Sequence, residues 1–193
     1  MYPARSSLLR VEKGLQVSED LSLHSLPNIW IRPLTDPAVL FCKLHRTIFE
    51  YWHESRGDAV LPGVEAMDPL SMPRSVMPHL TIIGPLPDGG TYKVRLVGTK
   101  LVNTVGFDHT GIVMHPDDGF QAQLSRFKWM EENRQPYFSV APLTFSHRTY
   151  KTYNAVALPF ADPEGKVVRI VVVFDFTPYD KIAAHLEPFL GRD

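Results

Sequence analysis

The stretch YKVRLVGTKLVNTVG, Tyr92 to Gly106, changes period in its middle. Its first six residues read as a strand, with Tyr92, Val94 and Leu96 facing one way and Lys93, Arg95 and Val97 the other. After Gly98-Thr99 the apolar residues Leu101, Val102 and Val105 fall at helical spacing, and Gly106 ends the run. Glycine lets the chain turn from strand to helix, and Thr99 suits a helix cap. The stretch therefore reads as a sheet strand that leaves to build a helical cover. Arg95, in the middle of an apolar run, needs a partner if it is buried.

Upstream, LTIIGPLP is strand-like, and PDGG at 87–90 is a strong turn signal, which makes a hairpin with Tyr92–Val97. Further upstream, DPAVLFCKLHRTIFEYWHESRG predicts an amphipathic helix. Asp36 caps it, Pro37 takes its first position, and Phe41, Leu44, Ile48 and Tyr51 or Trp52 share one face. Downstream, HPDDGFQAQLSRFKWMEENRQP predicts a second helix, capped by Asp117 or Asp118, with Phe120, Leu124, Phe127 and Met130 as its stripe.

Three strands follow: YFSVAPLTFSH, YKTYNAVALPF and VVRIVVVFDF. Ile170 to Phe174 is apolar without a break, as in a strand buried on both faces, so the last strand is expected at the centre of the sheet beside the first. A terminal helix begins after Thr177-Pro178 and places Tyr179, Ile182, Leu186 and Phe189 on one side, with Thr177 and Asp180 resembling a capping box.

The order predicts an α+β fold: a five-stranded antiparallel sheet with helices on one face, plus flanking N- and C-terminal helices. Residues 1–35 are expected to form a partly ordered arm, and residues 36–190 a single domain including the flanking helices.

Bulk properties narrow the function. With 193 residues and 44% hydrophobic content, the chain suits one domain with a substantial core. The net charge of −1 gives no global basic field, so nucleic acid is not an expected partner. No run reaches the ~20 apolar residues of a membrane span, and MYPARSSLLRVEKG lacks a signal-peptide core. A single cysteine, Cys42, excludes an internal disulfide and a multi-cysteine metal site. A cytoplasmic location is the default expectation.

The element order is similar to the PAS fold. FEYWHESRGDAVLP (49–62), MDP (67–69) and YKVRLVGTKLVNTVGFDHTG (92–111) together resemble the PAS_5 family, small PAS-like proteins of alphaproteobacteria. The resemblance spans roughly residues 36–176, with one residue more in the Gly106–Asp108 turn than the family's pattern. It implies a non-enzymatic sensory or regulatory module in bacterial signalling, acting through a small ligand, a protein partner or both. The flavin photosensors of this fold carry a reactive cysteine in an NCRFL-type sequence, absent here. Haem-binding members use a histidine on the helix matching 118–133, which has none. No cofactor is expected.

Candidate ligand-pocket residues are Leu101, Phe120, Leu124 and Phe127 from helices and Val140, Val156 and Val172 from strands, with Trp129, Tyr137 and Tyr153 as polar or aromatic groups. Arg95 reads either as a grip on an anionic ligand or as a structural latch to Trp52 and Asp68. The latch is preferred because buried charges are paired. The cluster Asp108, His109, His115, Asp117 and Asp118 matches no familiar metal-ligand spacing, so no metal site is expected. Cys42 and His45 lie three apart on a helix, but nothing completes a nucleophilic set. TFSHRTYKTY (144–153) reads as a charged hairpin edge rather than a nucleic-acid patch. The helices 36–56 and 178–190 are expected to contact a partner, homodimerisation included. Two further readings stay open: a constitutive interaction or localisation adaptor with a filled core, and an α+β enzyme using His109 or His147 as base. No residue is assigned as catalytic.

Overall fold

The structure, a computed structural model, describes residues 30–142 and 152–189, the side chains of residues 30 and 142 excepted. Its strands are β1 (Trp30–Pro33), β2 (Leu80–Pro85), β3 (Tyr92–Val97), β4 (Val113–Met114), β5 (Tyr137–Pro142), β6 (Thr152–Ala161) and β7 (Val167–Asp175). Its helices are α1 (Lys43–Arg56), α2 (Thr99–Val105), α3 (Gln121–Asn133) and α4 (Tyr179–Leu186). The strands form one antiparallel sheet in the order β1-β5-β6-β7-β2-β3-β4. The architecture is α+β, and β7 is central beside β2, as its unbroken apolar run requires.

Two edge strands extend the expected five. β1, which lies within the stretch expected as an arm, pairs with β5. β4 pairs with the first two residues of β3. Residues 1–29 of the arm lie outside the described residues. The hairpin turn forms at PDGG, where the Asp88 carboxylate accepts from the Gly90 and Thr91 backbone amides and from the Thr91 hydroxyl.

The intervening helices α2 and α3 lie on one face of the sheet, as expected, and the flanking helix α1 covers the other. There α1 packs against β6 and β7. His45 and Ile48 are fully buried, and Trp52 donates Nε1–H to the Pro159 carbonyl at 2.8 Å. Burying Ile48 and Trp52 is worth roughly 1.5–3 kcal/mol each, far more than any single hydrogen bond of the helix surface. α4 lies by the segment leading into α1. Ile182 and Leu186 are buried, and the His185 Nε2 lies 3.1 Å from the carbonyls of Ala38 and Val39. Of the apolar stripes expected to contact a partner, Ile48, Trp52, Ile182 and Leu186 are thus buried inside the domain, and Phe41, Leu44, Tyr51, Tyr179 and Phe189 pack half-buried against the same core. On the opposite face sit α2, α3 and the segment between them.

Several expected caps move. Asp36 caps a 3₁₀ turn at Pro37–Val39, not α1. The Cys42 sulfur takes the α1 cap position and accepts from the His45 amide at 3.4 Å. Burial pushes the Cys42 thiol up to about 11, away from nucleophile character. Asp117 and Asp118 lie in a 3₁₀ turn ahead of α3, whose own cap, Phe120, makes no side-chain bond. Thr177 and Asp180 form no capping box, because α4 starts from Pro178 without a side-chain cap.

The latch expected for Arg95 does not form. β2 and β3 slip register between Ile82 and Ile83: Ile82 faces Leu96, Ile83 faces Val94, and Arg95 is the extra residue of a bulge. Arg95 is exposed, the Asp68 carboxylate accepts from its own turn at Leu70 and Ser71, and Trp52 is satisfied by Pro159. The bulge also resets the alternation. Val94 and Val97, three residues apart, both face the helical cover, which a regular strand forbids.

Gly98 serves space more than conformation. Its φ of −68° is open to any residue, but a Cβ there would stand 2.5 Å from the Met77 carbonyl oxygen and closer still to Pro78. Gly98 itself caps α2, and Thr99 is the first helical residue rather than the cap.

Candidate functional site

Between the sheet and its α2–α3 cover lies a cavity of about 120 Å³. Strand parity decides which side chains reach it. Tyr137 and Ser139 on β5, Tyr153 and Ala155 on β6, and Val172 and Phe174 on β7 are cross-strand neighbours or share their alternation, and all point to this face. Thr81 and Ile83 of β2 and Val94 and Val97 of β3 continue the floor. The cover supplies Leu101 and Val105 from α2, and His109, Ile112, Met114 and Phe120 from the connecting segment. From α3 come Gln123, Arg126 and Phe127.

Of the expected pocket residues, Leu101, Phe120, Phe127, Tyr137, Tyr153 and Val172 stand on this wall. Val140 and Val156 do not: each is an odd number of residues from Tyr137 and Tyr153 respectively, so each faces α1, where both are fully buried. Leu124 is buried on α3 away from the cavity, and Trp129 is partly buried against the core, also off the wall. His109 is on the wall, and burial holds its imidazole below the ordinary histidine value. His147 and most of the 144–153 stretch lie outside the described residues. Among the described residues no group of three or more His, Cys, Asp or Glu is arranged to hold a metal ion.

The wall is mostly apolar, but its polar groups are unevenly spread. Arg126, Gln123, Ser139 and Tyr137 come from α3 and β5, whereas the β2, β3 and α2 side contributes aliphatic residues apart from Thr81. Thr81 is spent on its neighbour: its hydroxyl donates to the Leu96 carbonyl at 2.8 Å. Tyr137 is buried, which pushes its phenol up to about 12, and the Arg126 charge opposes that shift. Beside the cavity, Tyr92 packs on Phe127 with ring centroids 5.2 Å apart and donates its hydroxyl to Glu131 at 2.8 Å. This pair ties β3 to α3 and fixes the cover over the sheet. Sequence reasoning missed Arg126, Gln123 and Ser139 altogether. The available signal was that Gln123 and Arg126 flank the Phe120–Phe127 stripe, within one helical turn of it.

An apolar cavity of about 150 Å³ holds benzene, so the space is that of one small ring or a short chain.

Residues 41–123 match the PAS_5 family model, a PAS domain. The match runs from the start of α1 into α3, and β5–β7 complete the sheet beyond it. No curated protein sequence matches the chain. Among solved structures, an RNA-binding light-oxygen-voltage receptor is similar at 12% identity and TM-score 0.49, over 83% of this chain and 42% of that one. This chain thus spans less than half of that receptor's length. A light-oxygen-voltage domain studied with a flavin analogue aligns at 11% identity and TM-score 0.46, over 62% of this chain and 92% of that one. The PAS domain of Bordetella pertussis BvgS aligns at 16% identity and TM-score 0.38, over 60% of this chain and 91% of that one. The antiparallel sheet, with its central last strand and helical cover, is thus the setting in which residues 41–123 match a PAS domain.

Proposed function

We propose that this protein is a sensory or regulatory module that binds a small molecule in the cavity under α2 and α3 and signals through contact with another protein. The observation that carries the reading is the cavity itself, a ring-sized apolar space with a cluster of polar groups at one side. The PAS-domain match over residues 41–123 supports it. No residue is assigned a catalytic role, and His109 enters the reading only as one of the residues of the cavity wall.

The physical mechanism is population shift. A ligand that fills the cavity buries its apolar body against the wall and favours the arrangement of α2 and α3 that closes on it. The cover is where this change is read, since α1 and α4 already spend Ile48, Trp52, Ile182 and Leu186 on the domain's own core. A homodimer or other partner would therefore use surfaces other than those residues. No described helix is long and apolar enough to cross a membrane.

Native mass spectrometry of the purified chain against its denatured mass tests the reading. A mass excess that disappears on denaturation, or stabilisation by a small apolar probe such as toluene, is the expected result. A chain with no excess mass that toluene fails to stabilise is an adaptor with a closed core.

A further inference from the structure

We propose that the cavity selects a small monocarboxylic acid with an apolar body, whose carboxylate is held by Arg126. This rests on the cavity being a ligand site, as argued above, and names the class of ligand.

Arg126 is only 8% exposed, and it lines a space whose walls are otherwise mostly apolar. An arginine does not shed its proton on burial, so its charge needs an answer. The structure supplies one neutral contact: Nε donates to the Ala122 carbonyl one turn back, at 3.0 Å. Among the described residues, neither terminal guanidinium nitrogen has a hydrogen-bond or ion-pair partner. Those two nitrogens are the pair that grips a carboxylate in a fork.

Neighbouring groups point to the same chemistry. The Gln123 side-chain oxygen, on the same wall, is buried without a partner. Rotating that amide presents its NH₂ as a donor instead. Ser139, 2% exposed, and Tyr137, 4% exposed, bring hydroxyls from β5. Apart from His109, the Tyr153 hydroxyl and the Thr81 hydroxyl already bonded to Leu96, the polar groups collect between α3 and β5, and the aliphatic floor lies under β2, β3 and α2. An amphiphilic ligand fits this division, with its acid at the first end and its body at the second.

Charge limits the class further. One guanidinium balances one negative charge. His109, the other basic group on this wall, is pushed toward its neutral form by burial, so a phosphate dianion or a dicarboxylate would leave a second charge poorly met in a mostly apolar space. The volume of about 120 Å³ limits the body to about one ring or a short chain.

The test compares sodium phenylacetate with its neutral isostere phenylacetamide, by calorimetric titration of the full chain at neutral pH, and repeats both with Arg126→Gln and Arg126→Lys. The acid should bind roughly 10- to 100-fold more tightly than the amide, the range expected of a charge-assisted pair in a buried site. Arg126→Gln should abolish that preference, and Arg126→Lys should keep part of it, since lysine retains the charge but not the fork. If the amide binds as tightly as the acid, or Arg126→Gln leaves the acid's affinity unchanged, the assignment to Arg126 is overturned while the cavity remains a ligand site. The same holds if toluene stabilises the chain but neither phenyl compound binds. If none of the three binds, the cavity reading falls as well. Should Arg126→Gln fail to fold, the ratio of acid to amide on the native chain still decides.

Discussion

At the residue scale, Arg95 and His45 show how position overrides chemical character. Arg95 looks buried in the sequence because its neighbours are apolar, but the bulge turns it outward and leaves it exposed. Arg95→Ala should therefore change unfolding free energy by less than about 0.5 kcal/mol in a denaturant titration, as for a surface site. A loss of several kcal/mol would mean that the arginine is latched after all. His45 is the reverse case. It sits on a helix surface by sequence but is fully buried on β7, with Nε2 3.1 Å from the Val173 carbonyl, so the neutral Nε2–H tautomer donates there. Burial lowers its value from 6.5 to about 4, against the opposing pull of Asp175 and the Val173 carbonyl, while His79 pushes the same way as burial. Asp175 itself is held low by bonds from Thr177 and Asn154 that outweigh its own burial. The unfolded chain takes up the His45 proton near 6.5 and the folded chain only near 4, so the unfolded state binds more protons between them. Stability should thus fall as pH drops through that window, by about 3 kcal/mol in all, and level off below it. The measurement is the difference in denaturation midpoint between the native chain and His45→Gln as a function of pH. A difference that stays flat across the window would show that His45 is not held neutral.

At the element scale, the hairpin, the central strand and the three main helices were legible, because turn chemistry and period are local properties of sequence. The bulge was not, since it depends on how β2 pairs with β3, and neither strand alone carries that information. The two-sided cover was hidden for the same reason: an amphipathic helix such as α1 announces that it must cover something, not which face. The pocket residues divide along a rule that was available. Tyr137 and Val140 are an odd distance apart on one strand, as are Tyr153 and Val156, so no regular strand could turn both members of either pair to one cavity. Arg126 was passed over because a helix reading assigns charged residues to solvent, and only the packing of α3 on β5 shows it buried. Small residues on the floor make the hollow. Ala155 is 1% exposed and lines it, so Ala155→Leu should fill the space. The expected result is a gain of about 0.5–2 kcal/mol in stability together with loss of toluene and phenylacetate binding. A stabilised variant that still binds either probe would place the ligand elsewhere.

At the scale of the whole molecule, the sheet separates a solid face from a hollow one. Under α1 lie the fully buried residues Phe138, Val156 and Val173, with the His45 ring 5.9 Å from that of Phe138. Under α2 and α3 lies the cavity. A tightly packed face transmits strain but has little room to rearrange, whereas a cover over a cavity has room to move. Ligand binding therefore should act unequally on the two sides. At a probe concentration 100 times its dissociation constant, linkage adds about 2.7 kcal/mol to global stability, and amides that exchange only by global unfolding gain that much wherever they lie. Amides that exchange through local openings report the cover separately. With phenylacetate bound, those of α2 and α3 should become slower, because opening the cover exposes the ligand and loses its binding energy. Those of α1 should exchange at their ligand-free rate, because opening α1 leaves the cavity intact. Hydrogen exchange followed by mass spectrometry reads both at once. Equal slowing of local exchange in α1 and in the cover would show that the sheet couples its two faces, and the signal would then leave the domain through α1 as readily as through α2 and α3.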